Sequence, residues 1–331
     1  MMIWGDGTFV MASGQLLCFA RLFLLVPQLS SDAPDTILPD ILEAFQRHQD
    51  LYRVCGAPLA ARPQPGLTNR VFRLEADKGT FFLRLPRLEA AGNIDRKAEA
   101  RNLMLAAAIG VAVPPVFCDA EAGILVTRAV EVSGSPADLS EQPSYSLARA
   151  LGEALGQLHG SGVTFEGLLD PDSVLQAQWQ GLQDAVRCRE EMTGLEIVLR
   201  PIGAGAASGA GPALVPSHGD PSPGNCLMSS DQLWLIDWEF SGMSDPAWDL
   251  AYAVLEHEMS ADEEQVFLQA YAATGAAVPE ADRLGVMKAK CDAVSALWAL
   301  EQLAAERDED VFLPFARQRR GRALRQLARL S

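Results

Sequence analysis

The hydrophobic pattern of the first part of the chain predicts four short strands and one helix. Turn-forming residues such as Asp77-Lys78-Gly79 separate the apolar runs, as is typical of β-hairpins. The helix is predicted at 95–108, where Asn93 or Asp95 can cap the first turn and Gly110 can end the last. The four apolar runs are 71–74, 81–85, 116–117 and 124–130.

The rest of the pattern is mainly helical. Residues 145–160 repeat apolar positions with a period of about 3.6 residues, and a short apolar run at 233–236 predicts one buried strand. Further helical segments are predicted at 36–50, 171–199, 251–259, 262–273, 280–305 and 309–329. The last helix carries arginines that we expect to form a solvated basic face: Arg317, Arg319, Arg320, Arg322, Arg325 and Arg329.

Composition indicates a globular protein with two lobes or domains. The chain has 331 residues, of which 49% are hydrophobic, and a net charge of −16. That charge argues against nucleic acid or an anionic membrane as a partner and is compatible with a cationic substrate. The six cysteines are scattered and form no C-x-x-C pair, which predicts reduced thiols and a cytoplasmic location.

The N-terminal segment 1–30 does not fit the rest of the pattern. Its apolar run at 16–26 is too short to span a bilayer, so no stable membrane insertion is expected. Three interpretations stay open. The segment is an extension of uncertain order, an addition upstream of a true start at Met11, or a targeting segment.

The stretch 215–250 carries the candidate chemistry. Asp220 and Asn225 lie on a loop rich in glycine and proline, and Asp237 and Glu239 follow the predicted strand. The spacing Asp-x-x-x-x-Asn is that of a kinase catalytic loop, in which the carboxylate orients the attacking hydroxyl. A carboxamide and a further carboxylate are hard oxygen ligands of the kind Mg²⁺ prefers. We therefore predict Asp220, Asn225 and Asp237 as catalytic, with metal ligands among Asn225, Asp237 and Glu239.

A lone His-Gly-Asp or Ile-Asp-Trp-Glu is weak evidence, but their ordered combination, followed by Asp-Pro-Ala-Trp-Asp-Leu-Ala at 245–251, is specific. It resembles the signature of the aminoglycoside phosphotransferase and choline kinase superfamily, which includes the bacterial choline/ethanolamine kinases. The resemblance implies a bilobal, protein-kinase-like α+β fold and the cofactors ATP and Mg²⁺. The small antiparallel-sheet N-lobe would cover 31–130 and the larger, mainly helical C-lobe 131–331.

The resemblance also implies nucleotide-binding residues in the N-lobe. The turn Gly66-Leu67-Thr68-Asn69 is similar to one that covers the nucleotide in choline kinases, which marks Gly66, Thr68 and Asn69. Arg84 stands at the strand position expected to contact the phosphates, although an edge-strand arginine in solvent is the alternative. Glu99 pairs with Arg84 in the kinase interpretation, or with Arg96 or Arg101 on its own helix.

The acceptor is less well specified. Glu256 follows Asp249 by seven residues, and a glutamate at a similar offset faces the substrate's cation in choline kinases. Trp298 resembles one tryptophan of their aromatic cage, with Trp248 and Tyr252 as possible contributors, because aromatic faces attract quaternary ammonium ions. Ser295 replaces the first tryptophan of that cage, and core packing is the alternative for Trp298.

The expected function is phosphorylation of a small cationic alcohol by ATP, with choline or ethanolamine favoured. Two alternatives stay open: an aminoglycoside or thiamine phosphotransferase of the same fold, and a non-catalytic nucleotide-binding regulator. The sequence makes no prediction of oligomeric state.

Overall fold

The structure is a computed structural model, and it describes residues 39–64, 69–86, 94–130, 144–199, 213–229 and 232–330. The extension 1–30, Gly66 and Thr68 lie outside the described residues. The proposed boundaries of the two lobes stay a prediction. Within the described part of the chain, no helix has the length and apolar character needed to cross a bilayer.

A five-stranded antiparallel sheet forms the first lobe, in the order β1-β2-β3-β5-β4. Two short helices precede it, α1 (Pro39–Arg47) and α2 (Gln49–Cys55). The strands are β1 (Pro58–Gln64), β2 (Asn69–Ala76), β3 (Gly79–Pro86), β4 (Pro115–Asp119) and β5 (Ile124–Arg128).

Strand alternation decides which side chains reach the cleft. Leu83 and Leu85 of β3 are buried in a cluster that includes Phe45 of α1. Because successive side chains point to opposite faces of a sheet, Arg84 leaves β3 on the other face. Helix α3 (Arg96–Ile109) covers that face. The sheet therefore directs a cation toward α3 rather than into its hydrophobic core.

Helix α3 begins and ends as its sequence predicts. The Asp95 side chain accepts hydrogen bonds from the backbone N–H groups of Lys97 and Ala98, both at 3.0 Å. Gly110 ends the helix at φ 93°, in the left-handed region that favours glycine. Leu103 and Ala106 of α3 belong to the hydrophobic core of the second lobe, so this helix packs against both lobes.

Helices and short strands form the second lobe. The strands pair as β6 with β9 and β7 with β8. They are β6 (Val215–Ser217), β7 (Cys226–Met228), β8 (Leu233–Leu235) and β9 (Gly242–Ser244). The helices are α4 (Ser144–His159), α5 (Pro171–Gly181), α6 (Arg189–Met192), α7 (Pro246–Glu256), α8 (Ala261–Ala273), α9 (Ala281–Ala304) and α10 (Glu309–Ala328).

Two glycines set the spacing of α4 and α8. A Cβ added at Gly152 would clash with the Phe267 carbonyl, and one at Gly156 would lie 2.9 Å from the Tyr271 carbonyl. Only glycine lets the two backbones approach this closely. The contact fixes Tyr271 of α8 beside the end of α4.

The predicted elements are largely present, but the short strands β6, β7 and β9 were not predicted, and three further differences lie elsewhere. β1 was not predicted because Pro58 and Pro63 argue against a strand, yet it occupies the sheet edge, where proline is tolerated. The helix predicted at 36–50 is two helices that meet at His48. The segment 171–199 contains α5, the one-turn α6 and two 3₁₀ turns rather than continuous helix.

Candidate active site

The loop between β6 and β7 carries the predicted Asp220 and Asn225. Gly219 has φ 90°, and a Cβ there would clash with the Phe240 carbonyl, so this position requires glycine. The N–H groups of His218 and Gly219 donate to the two carboxylate oxygens of Asp249, at 2.7 and 2.9 Å. One buried carboxylate of α7 thus holds the start of the loop.

The position of Asp249 is itself fixed by His159 and, through His159, by Tyr271. Its Oδ2 lies 3.1 Å from Nε2 of His159, and Nδ1 of His159 lies 3.0 Å from the Tyr271 hydroxyl. Burial alone would raise the pKa of Asp249, but the hydrogen bond from His159 and the backbone N–H of Gly219 hold this pKa below its ordinary value. Asp249 is therefore an ionised acceptor that supports the loop.

His218 joins the loop to the strand that precedes Asp237. Its Nε2 lies 2.9 Å from the Ile236 carbonyl, which requires a proton on that nitrogen. Its Nδ1 accepts from the Asp220 N–H at 3.2 Å. Burial lowers the pKa of His218, so the imidazole stays neutral and this pattern of donor and acceptor persists.

Asp220 and Asn225 face each other across the loop. The Asn225 carboxamide N–H₂ donates to Asp220 Oδ2 at 2.9 Å and to the Asp220 carbonyl at 3.0 Å. Asp220 is 1% exposed, and its Oδ1 has no hydrogen-bond partner among the described residues. Burial raises the pKa of Asp220 well above its usual range, and the negative charges of Glu256 and Asp237 raise it further.

Asp237 lies next to this pair in a strained backbone conformation. The Ile236 N–H donates to the Asn225 carbonyl at 3.0 Å, which brings the two segments together. Asp237 has φ 63°, in the left-handed region that few non-glycine residues adopt, although aspartate does so more readily than most. Its Oδ1 is buried 4.0 Å from Nη1 of Arg84, while the side chain as a whole is 37% exposed. Its other oxygen therefore faces solvent.

The N-lobe contributes the Arg84–Glu99 ion pair. Glu99 accepts from Arg84 through both carboxylate oxygens, with Nη2 and Oε2 3.0 Å apart. Both side chains are buried. Burial would raise the pKa of Glu99, but Arg84 and Arg96 together hold this pKa below its ordinary value. The sequence left Arg84, Arg96 and Arg101 as alternative partners; the structure contains the first two pairs, whereas Arg101 pairs with Glu166.

Arg96 was not predicted as a site residue, although it links three segments: α3, the start of β2 and the turn after β8. It donates to Glu99 Oε2 at 2.8 Å and to the Asn69 carboxamide oxygen at 2.7 Å, and it lies 3.4 Å from Glu239 Oε2. Asn69 donates to the same Glu239 oxygen at 2.9 Å. The spacing of Arg96 three residues before Glu99 was the sequence signal for this link. Glu239 is thus bound to N-lobe side chains as well as lying beside Asp237.

These contacts bring together most of the predicted cleft residues from both lobes. They are Asn69, Arg84, Glu99, Asp220, Asn225, Asp237 and Glu239.

The aromatic cage is a correction to the sequence prediction. Trp248 is fully buried, and its indole N–H donates to the Gly219 carbonyl at 2.9 Å, so it supports the loop that carries Asp220 from the core. Tyr252 is also fully buried and stacks on Trp248. Trp298 is 3% exposed and packs its ring edge-on against Phe312 and Phe315. The three rings fill the core around α7 and α9, so they form no open cage.

Glu256 lies at the C-terminal end of α7, close enough to Asp220 for its charge to act on that group, but it is ion-paired with Arg319 at 2.7 Å. The expectation that all six arginines of the last helix form a solvated face is therefore wrong. Arg319 is 4% exposed, and Arg322 pairs with the buried Asp292.

The donor chemistry of the cleft fits a hard divalent cation. The Asn225 carboxamide uses its N–H₂ on Asp220, which leaves its oxygen for another ligand, and Asp237 has one oxygen toward solvent. The described residues contain no cluster of three or more His, Cys, Asp or Glu side chains arranged as a metal site. Mg²⁺ commonly uses one or two protein oxygens together with phosphate oxygens and water, so this donor set suits a metal–nucleotide complex.

The fold and the cleft define a bilobal, protein-kinase-like α+β protein whose polar residues converge between a sheet lobe and a helical lobe. The chain belongs to the phosphotransferase enzyme family, whose model matches residues 60–286. That match includes the loop that carries Asp220 and Asn225, the strands β7 and β8, and the residues Arg84 and Glu99.

Similarity to known proteins agrees with this family. Protein LicA of Haemophilus influenzae is 26% identical over 221 residues, which cover 62% of this chain and 60% of LicA. A choline/ethanolamine kinase family protein from Mesorhizobium loti has a solved structure with a TM-score of 0.67 and 28% identity, covering 86% of this chain and 94% of that protein. The solved structure of choline kinase LicA from Streptococcus pneumoniae has a TM-score of 0.66 and 22% identity, covering 87% and 99%.

Proposed function

We propose that the protein is an ATP- and Mg²⁺-dependent kinase that transfers the γ-phosphoryl group to the hydroxyl of a small amino alcohol. The observation that carries this proposal is the buried Asp220 Oδ1. It has no hydrogen-bond partner among the described residues and lies beside Asn225 and Asp237. An unpaired buried carboxylate oxygen costs free energy, and a hydrogen bond from a bound substrate group would remove that cost.

Asp220 accepts the proton of the acceptor hydroxyl at Oδ1. Its other oxygen is held by Asn225, so the carboxylate keeps one orientation while it waits for substrate. Its raised pKa makes it a stronger base than an ordinary aspartate, which suits proton transfer from an alcohol. Positioning of the hydroxyl in line with the phosphate supplies the larger part of the rate enhancement.

Asn225 and Asp237 would hold Mg²⁺, with Glu239 acting through water. When bound, the cation neutralises charge on the phosphate oxygens. Arg84 would steady the phosphates: its Nε is buried without a hydrogen-bond partner among the described residues, and Glu99 fixes its guanidinium. Asn69, bonded to Glu239, places the start of β2 at the same cleft.

The relatives and the net charge support the choice of acceptor. Two of the similar proteins are described as choline or choline/ethanolamine kinases, and the net charge of −16 favours a cationic substrate. Choline and ethanolamine are therefore the first acceptors to test. Thiamine and an aminoglycoside test the alternative within the same fold.

The test incubates the full chain with Mg²⁺, ATP and each of these four acceptors, and measures phosphorylated product by mass spectrometry. We expect product from choline or ethanolamine. Asp220→Asn should lower kcat by roughly 10²–10⁴-fold, because it removes the base. Its melting temperature should be unchanged or higher at neutral pH, since a buried carboxylate with a raised pKa destabilises the fold as pH rises.

If only an aminoglycoside or thiamine gives product, the proposed acceptor class is wrong and the alternative acceptor takes its place. Nucleotide binding with no transfer to any acceptor would overturn the kinase assignment and support a regulator.

A further inference from the structure

An arginine of the last helix occupies the carboxylate at the end of α7. Arg319 of α10 contacts Glu256 through both terminal nitrogens, Nη1 to Oε1 at 2.7 Å and Nη2 to Oε2 at 2.8 Å. The side chains of Arg319 and Glu256 are 5% and 2% exposed. This is a bidentate, buried pair of the strongest geometry that arginine and carboxylate form.

Two other groups complete the surroundings of the guanidinium. Asp292 of α9 places Oδ1 at 3.3 Å from Arg319 Nη1, and the guanidinium carbon lies 4.8 Å from the centre of the Phe315 ring. Carboxylates with an aromatic face are the groups that bind an organic cation. In this protein, a cation of the chain itself lies between them.

Asp292 has a further cationic partner. Arg322 donates to it through Nε at 2.6 Å, and the Gln326 carboxamide lies 3.1 Å away. Loss of Arg319 would thus leave Asp292 paired, whereas Glu256 would lose its bidentate partner. His257 cannot supply the missing charge, because burial lowers its pKa to about 4.

Glu256 is close to the reaction centre. The neighbouring His257 lies with Nε2 3.2 Å from the carbonyl of Pro221, the residue after Asp220. The end of α7 therefore contacts the catalytic loop. A change in the charge of the Glu256–Arg319 pair will act on whatever binds beside Asp220.

We propose that Arg319 is a specificity-determining residue that neutralises Glu256 and so limits the affinity of the acceptor site for cationic alcohols. It acts through Glu256 and is a positioning residue rather than a catalytic one. The inference rests on the proposed function, because it takes the acceptor to be a cationic alcohol. In the wild type, the Glu256–Arg319 pair has no net charge and attracts a bound cation only weakly. Glu256 attracts the cation more strongly only when the guanidinium of Arg319 is removed or displaced.

The test measures binding by calorimetry, so it does not depend on turnover. Choline carries a permanent charge, and 3,3-dimethylbutan-1-ol has the same shape without it. We expect Arg319→Met to tighten choline binding roughly tenfold, the effect of about 1.4 kcal/mol, and to leave the neutral alcohol within about twofold. The double variant Arg319→Met with Glu256→Gln should return to the wild-type ratio of the two affinities.

Arg325→Met is the matched control, because it removes an exposed arginine from the same helix and should change neither affinity. If Arg319→Met fails to fold, Arg319→Gln decides. Glutamine removes the positive charge but keeps an N–H₂ donor for Glu256, so choline should still bind more tightly than to the wild type, with the neutral alcohol unchanged.

Unchanged or weaker choline binding in the folded variant would overturn the inference, as would equal tightening for both alcohols. Failure of the proposed function is seen separately, as absence of phosphorylated product in the wild type.

Discussion

The two ends of helix α7 each carry a buried carboxylate, and their partners differ. Asp249 accepts from two backbone N–H groups and from His159, whereas Glu256 is bound by an arginine side chain of another helix. Backbone donors cannot rotate away without unfolding the loop, but an arginine can be displaced. Two acidic residues seven positions apart thus serve different purposes: Asp249 maintains a fixed loop geometry, and Glu256 takes part in an exchangeable contact.

The largest expected effect comes from Asp249→Asn. An asparagine offers one oxygen and places an N–H₂ against a backbone donor, so at least one buried hydrogen bond is lost. We expect a loss of about 3 kcal/mol in the free energy of unfolding and a fall of at least about a hundredfold in kcat/KM because the loop moves. Urea unfolding and steady-state kinetics measure both.

Asp245→Asn on the same helix is the control for that change. Asp245 caps α7 by accepting from the Ala247 N–H at 2.9 Å, and asparagine caps helices about as well. We expect a loss below about 1 kcal/mol and near-normal kinetics. Equal losses at positions 245 and 249 would show that α7 as a whole, rather than its contact with the loop, sustains activity.

Glu256→Gln should have a smaller effect, and one that leaves nucleotide binding unchanged. The glutamine keeps one acceptor oxygen for Arg319, which also retains Asp292. We expect the KM for MgATP to stay within about twofold, because the proposed nucleotide-binding residues Asn69 and Arg84 belong to the N-lobe sheet, whereas Glu256 lies on α7. The KM for the acceptor should change. A parallel change in the KM for MgATP would contradict the separation of the two ends of α7.

The smallest effect concerns pH. Asp220 must be ionised to accept a proton, and its pKa is raised by burial and by charges that include Glu256. The rate should therefore fall as pH decreases through a pKa above that of an ordinary aspartate. In Glu256→Gln this acid limb should move to lower pH, as a profile of kcat/KM would record. An unmoved limb would mean that Glu256 has no electrostatic effect on Asp220.

Local spacing explains what could be predicted from the sequence. Asp220 and Asn225 are five residues apart on one turn-rich loop, and Asp237 follows a short apolar strand, so their convergence depends on few long-range contacts. The Arg84–Glu99 pair could be predicted as one of two alternatives because strand and helix periodicity place both side chains inward.

Long-range packing explains what could not be predicted. A buried tryptophan and one that lines a pocket follow the same hydrophobic pattern, so Trp248 and Trp298 could be mistaken for a cage. Arg319 meets Glu256 across 63 residues of sequence, and on a helix rich in arginine its position resembles those of its solvated neighbours. Arg96 was similarly hidden, because its contacts with Asn69 and Glu239 join residues that are far apart in the sequence.

The close approach of α4 and α8 has a consequence beyond packing. Gly152 and Gly156 hold Tyr271 at the distance from which it reaches His159, and His159 in turn steadies Asp249 beneath the loop. A single methyl group on either glycine would push α4 and α8 apart. The shift would pass through Tyr271 and His159 to Asp249. Two residues without side chains on α4 thereby govern the alignment of the loop that carries Asp220.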